Sequence, residues 1–126
     1  MRAPVTTTLV TGPSAGAREQ AIYDRLMLSN LHHAGAYPAV IVEGMASGSS
    51  PLDSLPEHVL FARIAPGCLC CAGNLVLRVT LNRLLRQRPE RLFIGVAPSE
   101  HLDQLRSWLQ AEPYDQLLRL TPDLVS

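Results

Sequence analysis

The sequence contains no lysine: its eleven basic residues are all arginines, balanced by eleven aspartates and glutamates. No ammonium is therefore present to act as a nucleophile or as a compact point charge. With the charges balanced, no net field draws the chain to nucleic acid or to a membrane surface. Aromatic residues make up only 5% of the chain, so aliphatic side chains must supply the packing, and no basic–aromatic patch or RNA-binding strand motif can be traced. No apolar run approaches the roughly 18 residues of a membrane span. Met1 to Thr8 lacks the basic region and apolar stretch of a secretory signal. The three cysteines fall within four positions, which is no disulfide framework. Together these absences predict a cytoplasmic protein with neither nucleic acid nor membrane as partner.

What is present is a chain of 126 residues, 47% hydrophobic and 17% charged, enough for one domain around one core. Thr7 to Val10 is a β-branched run and reads as a first strand. Thr11 to Gly16 reads as a loop. A helix is predicted from Ala17 to His32, carried by the spacing of Ile22 with Leu26 and of Leu28 with Leu31, and ended by Gly35 and Pro38. Ala39 to Val42 is a second strand with Glu43 at its carboxyl end, and Gly44 to Pro56 reads as a long surface loop. His58 to Ile64 follows as a third strand. Asn74 to Gln87 is a helix with Leu77, Leu81, Leu84 and Leu85 on its apolar face, and Leu92 to Val96 is a fourth strand. Ser99 is a candidate cap for a helix whose buried face is Leu102, Leu105, Trp108 and Leu109; Leu117 to Leu120 is a short fifth strand. This alternation predicts a mostly parallel sheet flanked by helices in three layers, a P-loop NTPase-like and Rossmann-like α/β fold. Ligands in such sheets bind beyond the carboxyl ends of the strands. Three features converge there: the Gly12 to Glu19 loop, Glu43, and the cysteines.

The loop reads Gly12-Pro13-Ser14-Ala15-Gly16-Ala17-Arg18-Glu19. A working phosphate loop is G-x-x-x-x-G-K-[ST], whose backbone N–H groups and lysine hold phosphate and whose hydroxyl holds magnesium. Gly12 keeps the first glycine and Gly16 keeps the loop pliant. Ala17 stands at the last glycine, Arg18 at the lysine and Glu19 at the hydroxyl. A planar guanidinium does not replace an ammonium conservatively, and a carboxylate beside phosphate is repulsive by about 4 kcal/mol at moderate dielectric. Gly12, Gly16, Arg18 and Glu19 are thus the candidate cofactor-binding residues of a loop that argues against GTP and magnesium as cofactors. A structural loop and a weak anion site both stay open.

Cys68-Leu69-Cys70-Cys71 places three thiols in one turn between Gly67 and Gly73. Thiolates are soft ligands suited to zinc or copper(I), and the positive end of the helix after Asn74 would favour their ionised form. Three ligands leave a tetrahedral site one short, with water, Glu43, His58, a partner chain or a client protein as the fourth. A Cys68/Cys70 redox pair and plain core packing remain alternatives. His32, His33 and His101 read as helix-end or exposed residues, Asp53 and Glu57 as solvated loop charges, and Trp108 as core.

With those residues in view, the chain resembles the CobW-type GTPases, relatives of the UreG and HypB metallochaperones. The resemblance runs from Thr7-Thr8-Leu9-Val10-Thr11-Gly12 through Val40-Ile41-Val42-Glu43 and is sharpest at Pro66-Gly67-Cys68-Leu69-Cys70-Cys71-Ala72-Gly73-Asn74-Leu75, where the family has a G-C-x-C-C segment. It implies a single CobW-like α/β domain over residues 1–126, with metal held by Cys68, Cys70 and Cys71 and with Glu43 as an accessory ligand. Zinc, cobalt or a related metal is the implied ion, with zinc the expected one. The family's E-T-x-G segment appears here as Gly95-Val96-Ala97-Pro98 and its base-reading N-K-x-D segment is absent. The expectation is a metal-binding relative without GTPase competence. A divergent GTPase that needs a partner and a non-catalytic interaction module are the alternatives. A homodimer, a complete family member or a metalloprotein client are the implied partners, the first two because a sheet stopping near a fifth strand leaves an edge to cover.

Overall fold

The computed structural model describes residues 4–28, 38–44, 50–55, 59–64, 75–96 and 102–125. Six strands and four α-helices follow one another: β1 Val5–Thr11, α1 Ala15–Leu28, β2 Pro38–Glu43, a 3₁₀ turn Pro51–Ser54, β3 Leu60–Ile64, α2 Leu75–Leu85, β4 Arg91–Gly95, α3 Leu102–Leu109, α4 Tyr114–Leu117, β5 Leu118–Leu120 and β6 Leu124–Val125. The strands form one sheet in the order β3-β2-β4-β1-β5, with β6 also paired to β1. Every pairing is parallel, with Thr7 opposite Leu92 and Ala39 opposite both Leu60 and Leu92. This is the parallel sheet flanked by helices, in a P-loop NTPase-like arrangement, that the alternation predicts. No helix among the described residues is long and apolar enough to cross a membrane.

The central strands β1, β2 and β4 are buried on both faces, which is why they read as nearly continuous apolar runs. Neighbouring side chains in each strand feed opposite layers. Val10, Val40, Val42 and Phe93 pack with Ile22 and Leu26 of α1 and with Leu52 of the 3₁₀ turn. Leu9, Ile41, Leu92 and Ile94 face the other way, onto Leu77 and Leu81 of α2, Leu105 and Leu109 of α3, and Tyr114 of α4. Trp108 packs against this second layer, its ring 4.9 Å from that of Tyr114, in agreement with its reading as core.

Four details differ from the sequence reading. The first helix starts at Ala15 and not at Ala17, because Ser14 caps it: Ser14 Oγ accepts from the Ala17 N–H at 3.1 Å. Ser14→Ala is expected to lower stability by about 1 kcal/mol, read as a shift in denaturation midpoint with unchanged slope. The long loop after β2 is ordered at its far end, where Ser50 Oγ accepts from Leu52 N–H at 3.2 Å and turns Leu52 fully into the core. Tyr114–Leu117 forms an extra helical turn before β5. The pairing along this side of β1 is interrupted: β5 pairs with Val5 to Thr7, β6 with Val10 and Thr11, and residues 121–123 between them are not in a strand, although the Thr121 N–H still donates to the Thr7 carbonyl at 2.9 Å.

Gly95 lies at a close approach between α1 and the sheet. A Cβ built there would lie 3.2 Å from Ile22 Cδ1 and 3.3 Å from a Val42 methyl. This is the position at which the resemblance places an acidic residue, and α1 closes over it with apolar atoms. Gly95→Val is expected to cost about 1–3 kcal/mol through forced displacement of α1, measurable by chemical denaturation.

Candidate functional site

The loop between β1 and α1 lies at the carboxyl end of the sheet, as the sequence requires. Its two substituted residues are turned inward. Arg18 and Glu19 are both buried, at 7% and 4% exposure. Helical spacing explains this, because residues 18 and 19 precede Ile22 and Leu26 on the face of α1 that packs against the sheet. The Arg18 guanidinium folds back on its own loop and donates from Nη1 to the Gly12 carbonyl at 3.1 Å. Gly12 itself is buried, and Gly16 is exposed on the first turn of α1.

Glu19 is held by a network that reaches across 44 residues of chain. Arg63 on β3 grips both carboxylate oxygens, Nη1 to Oε2 at 3.1 Å and Nη2 to Oε1 at 2.8 Å. Such a two-pronged pair is stronger and more directional than a single contact. Ser50 adds a short hydrogen bond from its Oγ to Glu19 Oε1. Asp53 receives a bond from Arg63 Nη2 at 2.9 Å, so it is an ion-paired residue and not the solvated loop charge expected of it. Hydrogen bonding to Glu19, and then to Asp53, raises the Arg63 guanidinium above its ordinary value against the lowering effect of burial. The Arg63 guanidinium also lies 5.2 Å from the centre of the Phe61 ring. One carboxylate in the phosphate-loop helix thereby ties together α1, β3 and the 3₁₀ turn.

Glu43 is 5% exposed at the end of β2. It lies opposite Ile64, the last residue of β3, and the following Gly44 donates its N–H to the Ile64 carbonyl at 2.9 Å. Gly44 has φ of +138°, a conformation that favours glycine, and its α-carbon faces the Ala15 methyl at the start of α1. Glu43 thus stands where β2, β3 and the loop helix meet. Cys68, Cys70 and Cys71, together with His32, His33, His58, Glu57, Ser99 and His101, lie outside the described residues. Among the described residues, no group of three or more His, Cys, Asp or Glu side chains is gathered to hold a metal ion.

Arg63 and Ser50 are the residues that sequence reasoning missed. The signal for Arg63 was alternation: it shares a strand face with Phe61, and a charge on the helix-covered side of a strand needs a partner.

A parallel sheet whose first strand runs through a glycine-containing loop into a helix packed on its face defines the P-loop NTPase-like class. Within that class, the chain is homologous to a zinc chaperone. It is 38% identical over 66 residues to the zinc chaperone YeiR of Escherichia coli (strain K12), a match covering 52% of this chain and 20% of that protein. Homology at moderate identity over half of the chain agrees with the CobW-type resemblance read from the residues. The chain spans about a fifth of the length of this curated relative. No family model matches the chain, and no solved structure does.

Proposed function

We propose that the chain is a metal-binding, metallochaperone-like protein that holds zinc on Cys68, Cys70 and Cys71 and does not hydrolyse GTP. The observation that carries the metal half is the homology to a zinc chaperone. Two further points support it. Three thiols within four residues are a soft ligand set suited to zinc. Glu43 is the register partner of Ile64, and Cys68 follows Ile64 by four residues, a reach of at most about 14 Å.

The non-hydrolytic half is supported by the loop. At the position where a phosphate loop presents a hydroxyl to magnesium, Glu19 is committed to Arg63 and Ser50. At the lysine position, Arg18 is committed to the Gly12 carbonyl. At the position of the acidic residue that ends β4, Gly95 is closed over by Ile22 and Val42. Binding GTP and magnesium in the usual way would require breaking buried, charge-assisted hydrogen bonds before any phosphate contact formed.

Two measurements on the reduced protein test the two halves separately. Elemental analysis as isolated, followed by zinc titration after chelation, is expected to give about one ion per chain. Calorimetry with GTP and magnesium is expected to show no saturable heat, with or without zinc. Absence of bound or bindable zinc removes the metal reading. Saturable GTP binding followed by phosphate release removes the other.

A further inference from the structure

We propose that the chain carries a second site, centred at the amino end of β4, that binds a small oxyanion between the guanidinium groups of Arg91 and Arg25. The site is a cavity of about 310 Å³ beside α1, lined by Thr8, Arg25, Arg91, Phe93, Asp123 and Leu124 among others. Its Arg91 end lies apart from the Gly12 to Glu19 loop. Arg91 opens β4 opposite Thr6, five residues or about 16 Å down the strand from Thr11, where the loop begins.

Arg91 is the group that requires an explanation. Its Nε is buried without a hydrogen-bond partner. Its Nη2 donates to Thr8 Oγ1 at 3.2 Å, and its guanidinium lies 4.9 Å from the centre of the Phe93 ring. It has no ion pair with any carboxylate among the described residues. Burial, and then repulsion from Arg25, lower the guanidinium below its ordinary value. Two like charges facing one cavity destabilise each other unless an anion lies between them. The carboxylate that does line the cavity is not available, because Asp123 takes two bonds from Arg106 at 2.6 and 2.7 Å. Counting Arg25, Arg91, Arg106 and Asp123, the surroundings keep a net charge of about +2.

The rest of the lining suits an oxyanion. Thr8 and Thr121 hydroxyls touch each other at 2.6 Å, and Thr8 Oγ1 accepts from Arg91, so this pair orients the guanidinium at the cavity wall. Phe93 lies against the Arg91 guanidinium, whose Nη2 is held by Thr8 and whose Nη1 remains to donate to a phosphate or carboxylate. The volume is at the lower end of the range for small-molecule sites. The inference rests on these contacts and not on the metal reading.

The test is an NMR titration of the reduced protein at low ionic strength, following the side-chain Nε–H of Arg91 and the backbone of Thr8 and Thr121. Sodium phosphate and sodium acetate are added in separate arms, each against sodium chloride. Saturable shifts are expected with a dissociation constant on the order of 1 mM. Saturation by phosphate alone assigns a phosphate ligand, and saturation by acetate alone assigns a carboxylate. Arg91→Gln is expected to weaken binding more than about tenfold. Arg25→Gln, an exposed change that leaves the core alone, is expected to weaken it about fivefold, while Arg83→Gln on α2 has no effect. Linear shifts equal to those in chloride, or binding that persists in both Arg91→Gln and Arg25→Gln, overturn the proposal.

Discussion

Arg63→Met is expected to lower the free energy of unfolding by about 3 kcal/mol, or about 10 °C in midpoint temperature. The cost does not come from losing a favourable pair, since ion pairs removed from water are near balance between attraction and desolvation. It comes from what is left behind. Glu19 is 4% exposed, and without Arg63 its carboxylate keeps only the Ser50 hydroxyl among the contacts described above. A buried carboxylate with one neutral donor is strongly unfavourable. The partner variant Glu19→Gln is expected to cost less, because Arg63 retains Asp53 at 2.9 Å and is itself 16% exposed. Joining Glu19→Leu to Arg63→Met removes both charges and is expected to recover stability to within about 1 kcal/mol of the parent. Chemical denaturation of the single and joint variants measures the coupling directly. Additive losses would mean that the pair is not coupled and that the loop helix is held by packing alone.

The second large effect concerns the thiols. Under the proposed function, serine at Cys68, Cys70 and Cys71 together abolishes zinc binding, because a hydroxyl at neutral pH is neither anionic nor soft. A loss of at least about a thousandfold in affinity is expected against a chelating competitor. Single replacements are expected to leave weakened but measurable binding, and Glu43→Gln to weaken it about tenfold if its carboxylate completes the ligand set. Circular dichroism and chemical denaturation of the triple variant separate loss of the ligands from loss of the fold. Unchanged zinc affinity in the triple variant would remove the thiols from the site. Loss in the triple variant with no change in Glu43→Gln would leave the thiols in place and exclude that carboxylate.

Much of the architecture was legible because it depends on local periodicity. Apolar runs such as Ala39 to Val42, and the leucine spacing at 77, 81, 84 and 85, are dictated by two-sided burial and by a one-sided helix, and the structure keeps both. The elements that escaped depend on distant partners. The 3₁₀ turn at Pro51 exists because Leu52 finds space beneath α1 and Ser50 meets Glu19. The split between β5 and β6 depends on Thr121 meeting Thr8, 113 residues away. The candidate site divides in the same way. The positions of Gly12, Gly16, Arg18, Glu19 and Glu43 at the carboxyl end of the sheet followed from strand–loop–helix order. The orientation of Arg18 and Glu19 did not, although their spacing from Ile22 already placed them on the inner face. A loop sequence compared only with a phosphate-binding pattern suggests charges that look outward. Helical phase is the better guide to where they look.

The interruption at Pro122 also bears on how the molecule behaves in a crowded solution. The outer margin of the sheet beside β1 has three residues in β5 and two in β6, and between them stands a residue with no N–H to offer. Asp123, fixed by Arg106, adds a charge to the same margin. A second copy aligning there would find a ladder interrupted at Pro122, which disfavours strand addition on this side.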